Sequence, residues 1–202
     1  MPKITFCYSS PYDLHWREWI AQQSTSNQKS FLEIEEVLGI VKKIEKIWAS
    51  IEDETFKEIS KVLKLNWRED NIPCYIVSNA RALSDPLTIG VNNRGPNRVI
   101  ETLMHELTHR IFIQEDNRRK TKQSWEEIKN KYPDQSKVTH SHIICFSLLK
   151  HLYLTFFNQK TLEVEIKRCE KKDDYRKSWE IIEKEGYMKI LSEFSIHFQN
   201  FN

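Results

Sequence analysis

Five consecutive residues, His105-Glu106-Leu107-Thr108-His109, have the types and spacing for metal-assisted hydrolysis. On a helix, two imidazoles four residues apart leave the same face one turn apart and can bind one metal ion together. Glu106 then lies about 100° round the helix, at the edge of that face, where it can reach a water on the metal without being a ligand. Zinc lowers the pKa of such a water toward ~7 and makes it a nucleophile, with the glutamate as its base. With 7 His and 21 Glu in 202 residues, chance matches to the pattern are expected roughly 0.02–0.03 times per chain. The flanking residues sharpen the case. Ile100, Leu103, Met104, Leu107 and Ile111 cover one broad arc of the helix, and His105 and His109 lie nearly opposite its centre. The bland alternative is a pair of structurally satisfied histidines with no metal.

The five residues resemble the motif of the zincin metallopeptidases, a superfamily defined by H-E-x-x-H on a helix. The resemblance covers residues 72–157. It implies an α+β, mainly helical, zincin-like domain with a small sheet beside the motif helix, zinc as cofactor, and a peptide or protein as substrate. In that family an edge strand just before the motif helix pairs with extended substrate. Leu87-Thr88-Ile89-Gly90-Val91 is similarly placed, and its backbone is expected to bind substrate by strand addition.

A third ligand completes such a site and leaves one position for water. In the metzincin pattern it falls at Glu115, but Phe112 stands where that pattern needs a glycine, so the helix should continue and carry Glu115 away. The gluzincin pattern takes a glutamate from a following helix, which points to Glu126 or Glu127. His142 is the preferred candidate. It opens a strongly apolar run (Ile143, Ile144, Phe146, Leu148, Leu149, Leu152), and a histidine in the first turn of a buried helix is otherwise costly to place. The positive helix end also disfavours imidazolium and keeps the ring ready to ligate. A distal histidine opening the next long helix is similar to the arrangement in some prokaryotic zincin-like proteins. His140 is the alternative; on a continuous helix the two rings lie about 200° apart, so only one should face the metal. The other can donate a hydrogen bond to substrate or oxyanion.

Other residues carry less. Glu101, one turn before His105, can orient a ligand from behind. Tyr153 or Tyr175 can stabilise an oxyanion, although a tyrosine on an apolar helix is usually core. His15, His151 and His197 read as structural or exposed, and no serine or cysteine triad has a local signature.

The elements that must position the motif follow from periodicity. Lys3–Tyr8, Ile72–Val77 and Leu87–Val91 are expected strands. Helices are expected over Tyr12–Gln22, over Phe31–Trp48, through Phe56–Leu63, from Asn97 to about Gln114 with Pro96 at its start, near Ser124–Tyr132, and from Thr139 to Phe157. The last third reads as charged helix, with Gly186 ending one segment before Tyr187–Phe198. Gln22–Ser30 is linker-like. One domain is expected over 1–202, with an N-terminal strand and helices (1–70), a metal-site core (71–157) and C-terminal helices (158–202).

Composition narrows the classes. Only 4 glycines in 202 residues argue against a turn-rich β-sandwich or barrel. A net charge of +2, with no basic patch interleaved with aromatics, argues against a nuclease or nucleic-acid binder. No apolar run approaches a membrane span, and the first residues lack an apolar signal core, so a cytoplasmic location is expected. The four cysteines have no C-x-x-C spacing and are expected as reduced thiols. The expected function is zinc-dependent peptide hydrolysis, with His105, His109 and His142 on the metal and Glu106 as base. Its rival is a catalytically silent zincin-like scaffold that binds a peptide or protein. Intact Glu106 argues against that rival, because a silent descendant has no chemical need for the base. Oligomeric state has no signature in the sequence.

Overall fold

The computed structural model describes residues 1–23 and 31–200. The linker-like run Gln22–Ser30 therefore lies outside the described residues from Ser24 onward. The chain is mainly helical with one small sheet, the α+β class expected. It forms two compact units, Met1–Glu54 with Arg68–Arg110, and Thr55–Trp67 with Ile111–Asn202.

The first unit is built on a four-stranded sheet of β1 (Lys3–Cys7), β2 (Asn71–Val77), β3 (Leu83–Ser84) and β4 (Leu87–Gly90), in the order β1-β2-β4-β3. β2 is parallel to β1 in the register Lys3↔Asn71 and to β4 in the register Tyr75↔Thr88. Ile72, Cys74, Ile76 and Val77 are buried. Helices α1 (Ser10–Gln23) and α2 (Ile34–Ala49) belong to the same unit. α2 starts with a capping box between Glu33 and Glu36 and buries Val37, Val41, Ile44 and Trp48, the 3–4 spacing of one helix face. In α1 the buried residue is an acid. Asp13 accepts the backbone N–H and the hydroxyl of Ser78, each at 2.7 Å, and Arg17 at 2.9 Å, so a carboxylate anchors the end of β2.

β4 is not the free edge expected of it. β3, which no alternation in the sequence announced, runs antiparallel along it with Leu83 opposite Thr88 and Ser84 opposite Leu87. All four β4 residues are buried. At Gly90 the backbone of Ala80 lies so close that a Cβ would meet its nitrogen at 2.3 Å, which is why glycine stands there.

α4 (Pro96–Ile113) follows β4 and begins on proline, whose missing N–H costs nothing in a first turn. Near its far end Arg110 forks onto Glu69 at 2.5 and 3.0 Å and donates to the Ser84 carbonyl at 2.5 Å. The guanidinium thus fixes α4 against both the approach to β2 and the β3–β4 hairpin.

The second unit is helical: most of α3 (Glu52–Leu63), then α5 (Glu115–Lys131), α6 (Lys137–Phe156), α7 (Gln159–Cys169), α8 (Asp173–Glu185), α9 (Tyr187–Ser195) and a 3-10 turn, Ile196–Asn200. Its core is the apolar face of α6, including Ile143, Phe146, Leu149, Leu152 and Tyr153, with Trp179 and Ile182 of α8 and Leu191 and Phe194 of α9. Gly186 joins α8 to α9 at φ 87°, a conformation that favours glycine. α5 begins nine residues before the expected Ser124. Its inward stripe is Asn117, Thr121, Ser124 and Ile128, so most of the buried positions are polar. Asn117 is satisfied by donating to the carbonyls of Ile111 (2.8 Å) and Asn66 (2.9 Å), and Thr121 by donating to Asn117 (2.7 Å). Among the described residues no helix is long and apolar enough to cross a membrane, and Cys7, Cys74, Cys145 and Cys169 are free thiols.

Candidate metal centre

The 3.6-residue period of α4 sorts its side chains cleanly. Val99, Ile100, Leu103, Met104, Leu107 and Ile111 are fully buried. From Val99 to Phe112 every residue is buried except Glu101, His105 and His109, which are half-buried and stand four residues apart on one stripe. Nε2 of His105 and Nε2 of His109 are 3.2 Å apart. Glu101, behind them on the stripe, accepts from Arg98 at 2.8 Å.

Glu106 is 8% exposed. Burial pushes its carboxyl up to about 7, and the charge of Arg94 draws it part of the way back. A carboxyl with a pKa near neutrality is matched to a proton that must be taken and later returned. Arg94 had no motif to mark it in the sequence; it follows β4 in the turn before α4.

His142 lies in the second unit, in the first turns of α6, where the sequence places it. Ser136 caps that helix by accepting from the Thr139 N–H at 3.0 Å. Nδ1 of His142 is 2.8 Å from the Val138 carbonyl. A carbonyl only accepts, so Nδ1 carries the proton of the neutral ring and Nε2 its lone pair. Burial holds the imidazole below its ordinary pKa and outweighs the backbone hydrogen bond. Burial keeps the ring neutral and the Val138 contact fixes its tautomer, which together give the form that binds metals.

One ring nitrogen from each of His105, His109 and His142 lies within 4.8 Å of the other two. Two nitrogens held roughly 2.0–2.1 Å from a tetrahedral zinc stand about 3.3–3.4 Å apart. The 3.2 Å between His105 and His109 fits that spacing, and three neutral imidazoles are a donor set suited to zinc.

The other candidates are occupied elsewhere. His140 turns its Nε2 to the carbonyl of Tyr132 at 2.7 Å, tying α6 to the end of α5. Glu126 pairs with Lys129 at 2.6 Å, Glu127 with His197 at 2.7 Å, and Glu115 with Arg119 at 2.7 Å. His151 pairs with Glu58 at 3.0 Å, and His15 is exposed. Tyr153 is a core residue beside Phe157. Tyr175 is different: its ring lies against that of His142, tilted by 33°, with centroids 4.4 Å apart. The sequence suggests Tyr175 for an oxyanion and not for this contact, which joins two helices. Comparison of the chain with family models, with curated proteins and with solved structures gave no match.

Proposed function

We propose that this chain is a zinc-dependent metallopeptidase of zincin-like fold, in which His105, His109 and His142 hold the metal and Glu106 is the general base. The observation that carries the reading is the convergence of three imidazole nitrogens within 4.8 Å, with a buried glutamate between two of their residues on the same helix. Bound there, zinc would supply Lewis acidity, activating a water and polarising the carbonyl of a peptide bond.

The chain's own residues do the rest. Glu106 takes a proton from water on a carboxylate oxygen as the water adds to the carbonyl carbon, and then passes it to the departing amine. Its buried setting holds that proton firmly enough to keep it between the two steps, while Arg94 limits how far the carboxyl favours the protonated form. The Val138 carbonyl keeps His142 in a single tautomer. The apolar back of α4, sealed by Leu103, Met104 and Leu107, makes the helix a rigid mount for both histidines.

The test is peptide hydrolysis by the purified chain and by Glu106→Gln. The variant should keep its zinc and lose the activity by orders of magnitude. Equal cleavage by both proteins would overturn the mechanism, and zinc and peptide binding with no turnover in the wild type would identify the silent scaffold instead.

A further inference from the structure

The first turn of α8 is fastened to the first turn of α6 by side chains. Asp174 accepts from the hydroxyls of Ser136 (2.6 Å) and Thr139 (3.1 Å), and Ser178 donates to the Thr139 carbonyl at 3.2 Å. This bolting sets the register of the two helices and brings the residue after Asp174 opposite His142. That residue is Tyr175. The two rings are tilted by 33° at a centroid distance of 4.4 Å. Phe146, one turn along α6, meets His142 edge-on at 4.8 Å and Tyr175 at 5.3 Å. The Lys172 ammonium lies over the Tyr175 ring at 4.6 Å, which steadies the phenol in turn.

We propose that Tyr175 is a positioning residue for the third metal ligand, its ring holding the plane of the His142 imidazole so that Nε2 is aimed at the metal. The inference rests on the metal reading above. A histidine side chain has two torsions, and a ligand must fix both before the metal arrives or lose affinity in fixing them later. Two contacts divide that work. The Val138 carbonyl decides which way round the ring sits, because only Nδ1 can carry the donated proton. The Tyr175 ring packed against it decides the ring's plane, which polar contacts at Nδ1 alone leave free to rock. The hydroxyl of Tyr175 plays no part in this role, so phenylalanine should serve as well as tyrosine.

The experiment is titration of the metal-free full chain with cobalt(II), following the d–d absorption, and with zinc in competition with a chelator. Tyr175→Leu and Tyr175→Met should weaken zinc binding by ~10–100-fold, as loss of a group behind a ligand does, and alter the cobalt spectrum. Tyr175→Phe should stay within about threefold of the wild type and keep its spectrum. In a His142→Ala background, Tyr175→Leu should cost nothing further, since the two residues act as a unit. Wild-type affinity in Tyr175→Leu, or the same loss with and without His142, would overturn the proposal. So would unfolding of both the Leu and Met variants, which would place Tyr175's contribution in the core. Failure of the wild type to bind either metal would be a different result, and would remove the metal reading itself.

Discussion

Nε2 of His105 and Nε2 of His109 stand 3.2 Å apart on consecutive turns of one helix, a separation that either a shared proton or a shared metal ion can bridge. The two cases differ in their need for a third partner. A proton is satisfied by two nitrogens, whereas zinc collects three or four donors, and His142 offers the third nitrogen within 4.8 Å.

His105→Ala, His109→Ala and His142→Ala should each weaken zinc binding beyond the ~10–100-fold typical of losing a group behind a ligand. Glu126→Ala, Glu127→Ala and His140→Ala should leave the affinity near that of the wild type, since their side chains are engaged with Lys129, His197 and Tyr132. Competition with a chromophoric chelator measures all six. A large loss in Glu126→Ala with none in His142→Ala would reassign the third ligand.

In the metal-free protein, Glu106 should make stability depend on pH. Its carboxyl sits at about 7 when folded, raised by burial, against about 4.3 in an unfolded chain. The folded state binds the proton more tightly, so stability is fullest below the unfolded value and falls as pH rises through the folded one. Glu106→Gln removes that dependence. Denaturant unfolding after chelation should find the variant more stable than wild type above neutrality, by up to a few kcal/mol, with the gap closing near pH 4. A constant gap across that range would contradict the assigned burial.

How much of this was legible in the sequence depends on whether a residue's task is local. His105, Glu106 and His109 share one helix, and the apolar arc from Ile100 to Ile111 announces that helix by its period. His142 was legible because a histidine opening the run Ile143–Leu152 is costly without a reason. The start of α5 was hidden, because its inward positions Asn117, Thr121 and Ser124 are polar, and the hydrogen bonds that satisfy Asn117 and Thr121 do not register in hydrophobic periodicity. β3 was hidden because two residues cannot show alternation. The contacts of Tyr175 and Arg110 were hidden because their partners, His142 and Glu69, are distant in sequence.

Asp13 should prove the most sensitive acid of the first unit. It is 1% exposed and satisfies both the N–H and the hydroxyl of Ser78. Asp13→Ala would leave those buried donors without their acceptor and take the Asp13 counter-charge from Arg17. A loss of ~2–4 kcal/mol in urea unfolding is expected, with an unchanged m-value. A change below ~0.5 kcal/mol, the range of an ordinary surface substitution, would contradict the role given to this clasp.

The central claim is that three histidines on two helices form one metal site, and the zinc content of the chain at equilibrium tests it most directly. Dialysis of the metal-free protein against dilute zinc at neutral pH, followed by elemental analysis, should find about one zinc per chain, and well below one in His105→Ala and in His142→Ala alike. No bound zinc in the wild type, or full retention by both variants, would contradict it.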